Sequence, residues 1–127
     1  MSDGITGTRI ASAQRRVMAT AAIHHACNDA SVVILPSVFP LLHDEGTLIR
    51  SYTDIGTMIL IGLVTAIIFQ AFLGHAARHR HARRWLALDA SIVGFSLLLM
   101  TRIDSWGALL ACFIGVRLGT AIYHPVG

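Results

Sequence analysis

The sequence predicts an all-α integral membrane protein with four transmembrane helices, and three observations carry that prediction. Of its 127 residues 54% are hydrophobic and only 13% charged, with a mean hydropathy of +0.65, which is too apolar for an ordinary soluble domain of this length. Apolar stretches recur four times at the length a bilayer core demands, about 20 helical residues and somewhat fewer where flanking groups snorkel. The basic residues, ten in number and all arginine, give a net charge of +3. Most of them gather at Arg15-Arg16 and between Arg78 and Arg84, beside the apolar stretches.

A polar tail over residues 1–16 precedes a membrane domain over 17–127. The first span, about 17–42, contains the polar run His24-His25-Ala26-Cys27-Asn28-Asp29 and two prolines, Pro36 and Pro40, which membrane helices tolerate. A signal peptide's apolar core would not hold two histidines, an asparagine and an aspartate, so this is read as a retained span. The second span, about 55–73, carries no charge. The third, about 85–100, opens at Trp85 and has Asp89 near its start. The fourth, about 106–123, opens at Trp106 and includes Arg117. Both tryptophans suit an interfacial anchor. Gly115-x-x-x-Gly119 would let the fourth helix approach a neighbour closely. Cys27 and Cys112 fall within spans, where a thiol is expected to act as a small buried hydrophobe, so neither reports the redox compartment.

Arginine placement predicts the threading, because basic residues concentrate on the cytoplasmic side. The tail holds Arg9, Arg15 and Arg16 and the second loop Arg78, Arg80, Arg83 and Arg84, whereas the first and third loops hold Arg50 and Arg102. A multi-pass protein of the cell inner (plasma) membrane follows, with both termini of this chain cytoplasmic and the His43 to Asp54 loop outside. The arginine clusters lack interleaved aromatic residues for base stacking, so no nucleic acid partner is expected. His75, His79 and His81 sit among fixed positive charges without a cysteine or carboxylate, which suits a solvated loop better than a metal site. There is no nucleophile and base constellation, phosphate loop or dinucleotide fingerprint. The reading is therefore neither an enzyme nor a cofactor or metal binder.

The polar run in the first span is the chemically informative feature. A carboxylate near the bilayer centre costs roughly 2.5 kcal/mol or more, so such groups usually face a bundle interior or an aqueous pathway. His25 and Asp29 are four residues apart, as are His24 and Asn28, which places the two pairs on neighbouring strips of one helix surface. Asp29 is a protonatable group suited to a cavity, with Arg117 as its candidate cation. Buried hydrogen bonds tying helices together would account for the same residues.

The order of these residues resembles a known family. His25-x-x-Asn28-Asp29, followed by Leu35-Pro36 and Pro40-Leu41-Leu42, is similar to the first helix of fosmidomycin resistance protein-like transporters of the major facilitator superfamily. Tyr52-Thr53-Asp54-Ile55-Gly56 looks like the opening of that family's second helix, Gln70 stands four residues before Gly74 as it does there, and Tyr123-His124-Pro125 resembles the Phe-His-Pro that closes the fourth. Departures accompany the matches. Gly74 is followed by Arg78 where the superfamily's loop has an aspartate, Ala71 replaces a usual proline, and Val126 a usual glutamate. Asp89 is the candidate substitute carboxylate.

The resemblance implies the partial N-terminal half of a major facilitator fold, because such carriers have two six-helix halves rocking about a central site. This chain would then be a fragment whose partner is the missing remainder. It further implies proton-coupled export of a small molecule or drug, with Asp29 coupling protons. His25, Asn28, Gln70, Arg117 and His124 would line the cavity, and Gly74, Arg78, Arg83, Arg84 and Asp89 would form a cytoplasmic gating loop. Its partners would be the substrate, protons and the lipid bilayer. Two other classes fit the length: a complete four-span exporter of the small multidrug type acting as a dimer, and a haem-binding membrane anchor using His24 or His25 with His124 as axial ligands.

Overall fold

A computed structural model describes the backbone of residues 3–76 and 82–126, and the side chains of residues 11–73 and 82–124. Four helices follow one another: α1 (Asp3–Asp44), α2 (Tyr52–Ala76), α3 (Ala82–Met100) and α4 (Trp106–Val126). Three of them are long and apolar enough to cross a membrane, with spans at Ala11–Asp44, Tyr52–Leu73 and Trp106–His124. The third helix, 19 residues long, carries Arg83, Arg84 and Asp89 in its first half and completes the bundle by packing on α4. The chain is thus an all-α, multi-pass membrane protein.

At 42 residues α1 is the longest element, about 63 Å at 1.5 Å per residue, roughly twice a bilayer core. The tail over 1–16 is therefore continuous helix from Asp3 onward, and Pro36 and Pro40 lie within that helix without ending it. Thr20, Ser31 and Ser37 each donate their hydroxyl to the carbonyl four residues earlier, at 2.8 to 2.9 Å. Such internal bonds satisfy hydroxyls on a surface where lipid offers no partner.

Local sequence sets where the helices begin. After α1 the chain turns at Gly46, whose φ of 66° is left-handed and suits a residue without Cβ. Ser51 then caps α2: its Oγ accepts the Asp54 amide proton at 3.2 Å, while the Ser51 amide donates to Asp54 Oδ2 at 3.0 Å. This reciprocal pair is a capping box, with aspartate in the place more often held by glutamate. A second amide, from Arg50, donates to the same carboxylate oxygen at 3.1 Å. Ser105 does the equivalent for α4, accepting the Ala108 amide at 3.4 Å.

Packing places α4 at the centre. It lies between α2 and α3, while α1 touches α4 and α2 more sparsely. Glycines permit the close approaches. A Cβ on Gly62 of α2 would meet the Phe113 ring and the Arg117 stem at 2.5 to 3.1 Å. On Gly115 it would strike Ser96, and on Gly119 it would strike Val93 with Asp89 Oδ1 at 3.0 Å. The Gly115-x-x-x-Gly119 face is thus the seam between α4 and α3.

The apolar core sits at the end of the bundle nearest the α1–α2 loop. Phe39, Ile49, Ile55, Met58, Leu109 and Phe113 form it, with Phe39 and Phe113 meeting edge to face at 5.2 Å. Ile49, a loop residue, is completely buried there. At the other end every α1 residue from Ala11 to Ile23 is exposed, so α1 is anchored by its C-terminal third.

Candidate functional site

The polar run of α1 separates into two strips with different surroundings. Successive helical residues are turned by about 100°, so when Asn28 faces α4, Asp29 lies on the flank of the helix. Asn28 is 4% exposed, and Thr120 Oγ1 donates to its Oδ1 at 2.8 Å across the α1–α4 contact. Thr120 Oγ1 also lies 3.0 Å from the Val116 carbonyl, and Asn28 Nδ2 is buried without a partner. A hydroxyl has one proton. Exchanging the amide's oxygen and nitrogen would let Nδ2 donate to Thr120 Oγ1 and the hydroxyl donate to Val116, which removes the orphaned donor.

His24, on the same strip as Asn28, reaches α3. Its Nε2 lies 3.3 Å from Asp89 Oδ2, and Asp89 is 1% exposed. Asp89 therefore bridges α3 to α1 from within the bundle, well inside the exposed Arg83 and Arg84 that open the helix. An open-sided cavity of about 210 Å³ borders this contact, lined by His24, Cys27, Asn28, Ser31 and Asp89 among others. Cys112 is buried as expected, but Cys27 is exposed on the surface of α1, and both thiols are free.

The outer strip holds His25 and Asp29. His25 Nε2 and Asp29 Oδ2 are 3.2 Å apart, with each side chain 53% exposed. The expected Asp29–Arg117 pair is not formed: Asp29 lies about 100° round α1 from the buried Asn28, and its carboxylate is paired with His25 instead. Among the described residues Arg117 makes no salt bridge. Its guanidinium carbon stands 5.4 Å from the centre of the Phe113 ring, a cation–π contact, and its Nε is buried and unpartnered.

Tyr123 gathers the imidazoles near the end of α4. Its ring centroid is 4.9 Å from that of His24, 5.4 Å from that of His25 and 5.8 Å from that of His124. The three histidines considered as haem ligands are thus neighbours, but His24 and His25 each commit Nε2 to a carboxylate. Gln70 is half-buried on the last third of α2 and His124 is exposed. Gly74 falls on the last turn of α2, its surroundings undescribed. Arg78, Arg80, His79 and His81 lie outside the described residues, as does the comparison of that loop with a gate. The sequence alone did not mark Thr120 or the His24–Asp89 contact. Signals existed: Thr120 follows the close-packing Gly119, and a carboxylate within an apolar span demands a partner.

Comparison with known proteins gives one informative match. Over 107 residues, 83% of this chain, the sequence is 28% identical to the uncharacterized MFS-type transporter YfnC of Bacillus subtilis (strain 168). The chain spans about a quarter of that relative's length, 25%. No family model matches the sequence, and no solved structure matches it.

Proposed function

We propose that this chain is part of a major facilitator superfamily secondary transporter that exports a small molecule or drug in exchange for protons, on the pattern of the fosmidomycin resistance proteins. The observation that carries the reading is the His25–Asp29 pair, half-exposed on the flank of an otherwise apolar helix. Facing lipid, such a carboxylate would be costly, so this flank is better suited to a water-filled cavity shared with further helices. The similarity to an MFS-type transporter supports the superfamily. The fosmidomycin-like class rests on the ordered residues from His25 to Pro125 alone.

In this reading Asp29 takes up a proton when the cavity opens outward and releases it inward, with His25 as its immediate exchange partner. Gln70 and His124 supply hydrogen bonds to substrate. Asn28 serves α1 packing through Thr120 rather than substrate directly. Arg117, without a carboxylate partner among the described residues, is the cavity cation available to an anionic substrate. The gating role of Gly74, Arg78, Arg83, Arg84 and Asp89 remains part of the proposal, with Asp89 acting from inside the bundle. Arginine placement orients the chain with its termini in the cytoplasm of the inner membrane.

Everted membrane vesicles from cells expressing the complete natural gene test this. After energisation, adding fosmidomycin or ethidium should release protons, read by recovery of acridine orange fluorescence, and Asp29→Asn should abolish the release while the protein stays in the membrane. No response to either probe, or an undiminished response in the variant, would sink the proposal.

A further inference from the structure

Among the described residues Asp89 is the only charged side chain that the bundle buries. Its seat is built by the sequence. Gly119 of α4 leaves the space, since a Cβ there would stand 3.0 Å from Asp89 Oδ1. Neither carboxylate oxygen accepts a well-aligned hydrogen bond, although His24 Nε2 faces Oδ2 at 3.3 Å. The His24 ring is steadied against Tyr123. From α4, His124 adds a second imidazole within electrostatic reach of the carboxylate. On α3 itself Arg83 and Arg84 are exposed at the helix start. Across α1, His25 is turned to Asp29.

We propose that His24 and Asp89 form a proton-binding site between α1 and α3 that titrates separately from Asp29. A lone carboxylate buried without hydrogen bonds is expensive, and a proton held between carboxylate and imidazole removes the net charge. In the exchange step the N–H bond at His24 Nε2 breaks and an O–H bond forms on Asp89 Oδ2, leaving a neutral imidazole. A proton from water then reloads Nε2, giving the pair one positive charge, and the reverse steps unload it. The cavity of about 210 Å³ beside the pair has room for the waters this requires, and Asn28 and Ser31 on its wall can bond them. No group of three or more metal-ligating side chains occurs among the described residues, so two ligands favour a proton over a metal ion. Because the groups interact, the midpoints observed belong to the pair.

Infrared pH-difference spectroscopy of the purified chain in lipid nanodiscs tests this, with circular dichroism confirming helix content. Beside the band of the solvated carboxylic acids, a separate carbonyl component at higher frequency, where a desolvated acid without hydrogen bonds absorbs, should appear as the pH falls. It should vanish in Asp89→Asn, keep its amplitude but move its midpoint in His24→Gln, and persist unchanged in Asp29→Asn. Absence of that component, its survival in Asp89→Asn, its loss in Asp29→Asn, or an unmoved midpoint in His24→Gln would each overturn the site. Should Asp89→Asn lose its helical signal, the His24→Gln midpoint decides alone. Proton binding in the isolated chain is read without turnover, so a failed transport assay leaves this result standing and the converse holds.

Discussion

At the scale of single residues, a shift of one position decides whether a side chain is structural or accessible. Asn28 is buried against Thr120, and Asp29, its neighbour, is half-exposed beside His25. Replacing Thr120 with valine keeps the volume but leaves the buried amide of Asn28 without its interhelical partner. Such bonds in membrane proteins are worth about 0.6 kcal/mol on average and up to about 1.7 kcal/mol, so Thr120→Val should destabilise the bundle within that range. Unfolding in mixed detergent micelles, followed by helical circular dichroism, measures it. The same substitution should not affect the His25–Asp29 pair. Composition and spacing revealed that the His24 to Asp29 run was out of place in an apolar span, and that its pairs lay on adjacent strips. They could not reveal which strip faced inward, because that depends on rotation of α1 against Phe113 and Thr120, contacts more than seventy positions away in the chain.

Elements follow rules that the sequence exposes more fully. Helices α2 and α4 begin where local caps place them, Ser51 with Asp54 for α2 and Ser105 for α4, and Gly46 supplies the turn between α1 and α2, whereas α1 already begins at Asp3, inside the stretch expected as a tail. Ser51→Ala should cost about 0.5 to 2 kcal/mol, the usual value of an N-cap, and raise amide exchange in the first turn of α2. The small-residue seam of α4 was also legible as close packing, but its partner was not: α3 supplies Ser96, Val93 and Asp89. Gly119→Ala and Gly62→Ala each force a methyl into occupied space, which should destabilise by about 1 to 3 kcal/mol. Gly94→Ala and Gly107→Ala meet nothing within 4 Å and should leave the thermal midpoint unchanged or raise it. Equal effects at all four glycines would refute both close approaches, that of α4 to α3 at Gly119 and that of α2 to α4 at Gly62. One alanine inserted between Val32 and Val33 would rotate the run by about 100° against the Phe39 anchor. His25 would then face Asp89 and Asp29 would face Thr120, so the infrared midpoint of the buried pair should change while a buried acid persists.

For the whole molecule, arginine distribution predicts one orientation in the membrane, and labelling tests it directly. In a chain with Cys27 and Cys112 replaced by alanine, Gly46→Cys should react with a membrane-impermeant maleimide in intact cells. Ala13→Cys should react only after permeabilisation, and the opposite pattern would invert the threading. What composition could not convey is how unevenly the bundle is tied. Its apolar core lies at one end, around Phe39, Ile49 and Phe113, while α1 from Ala11 to Ile23 is free of burial at the other. Mechanically, α1 is a beam clamped near Phe39. Arg16 lies 23 residues from that clamp, about 35 Å along the axis, so a tilt of about 10° would sweep it some 6 Å. The ties at Asn28 and His24 stand about 16 and 22 Å from the clamp. The same force exerts the greater torque at His24, making that imidazole the point from which this lever is most easily held or let go.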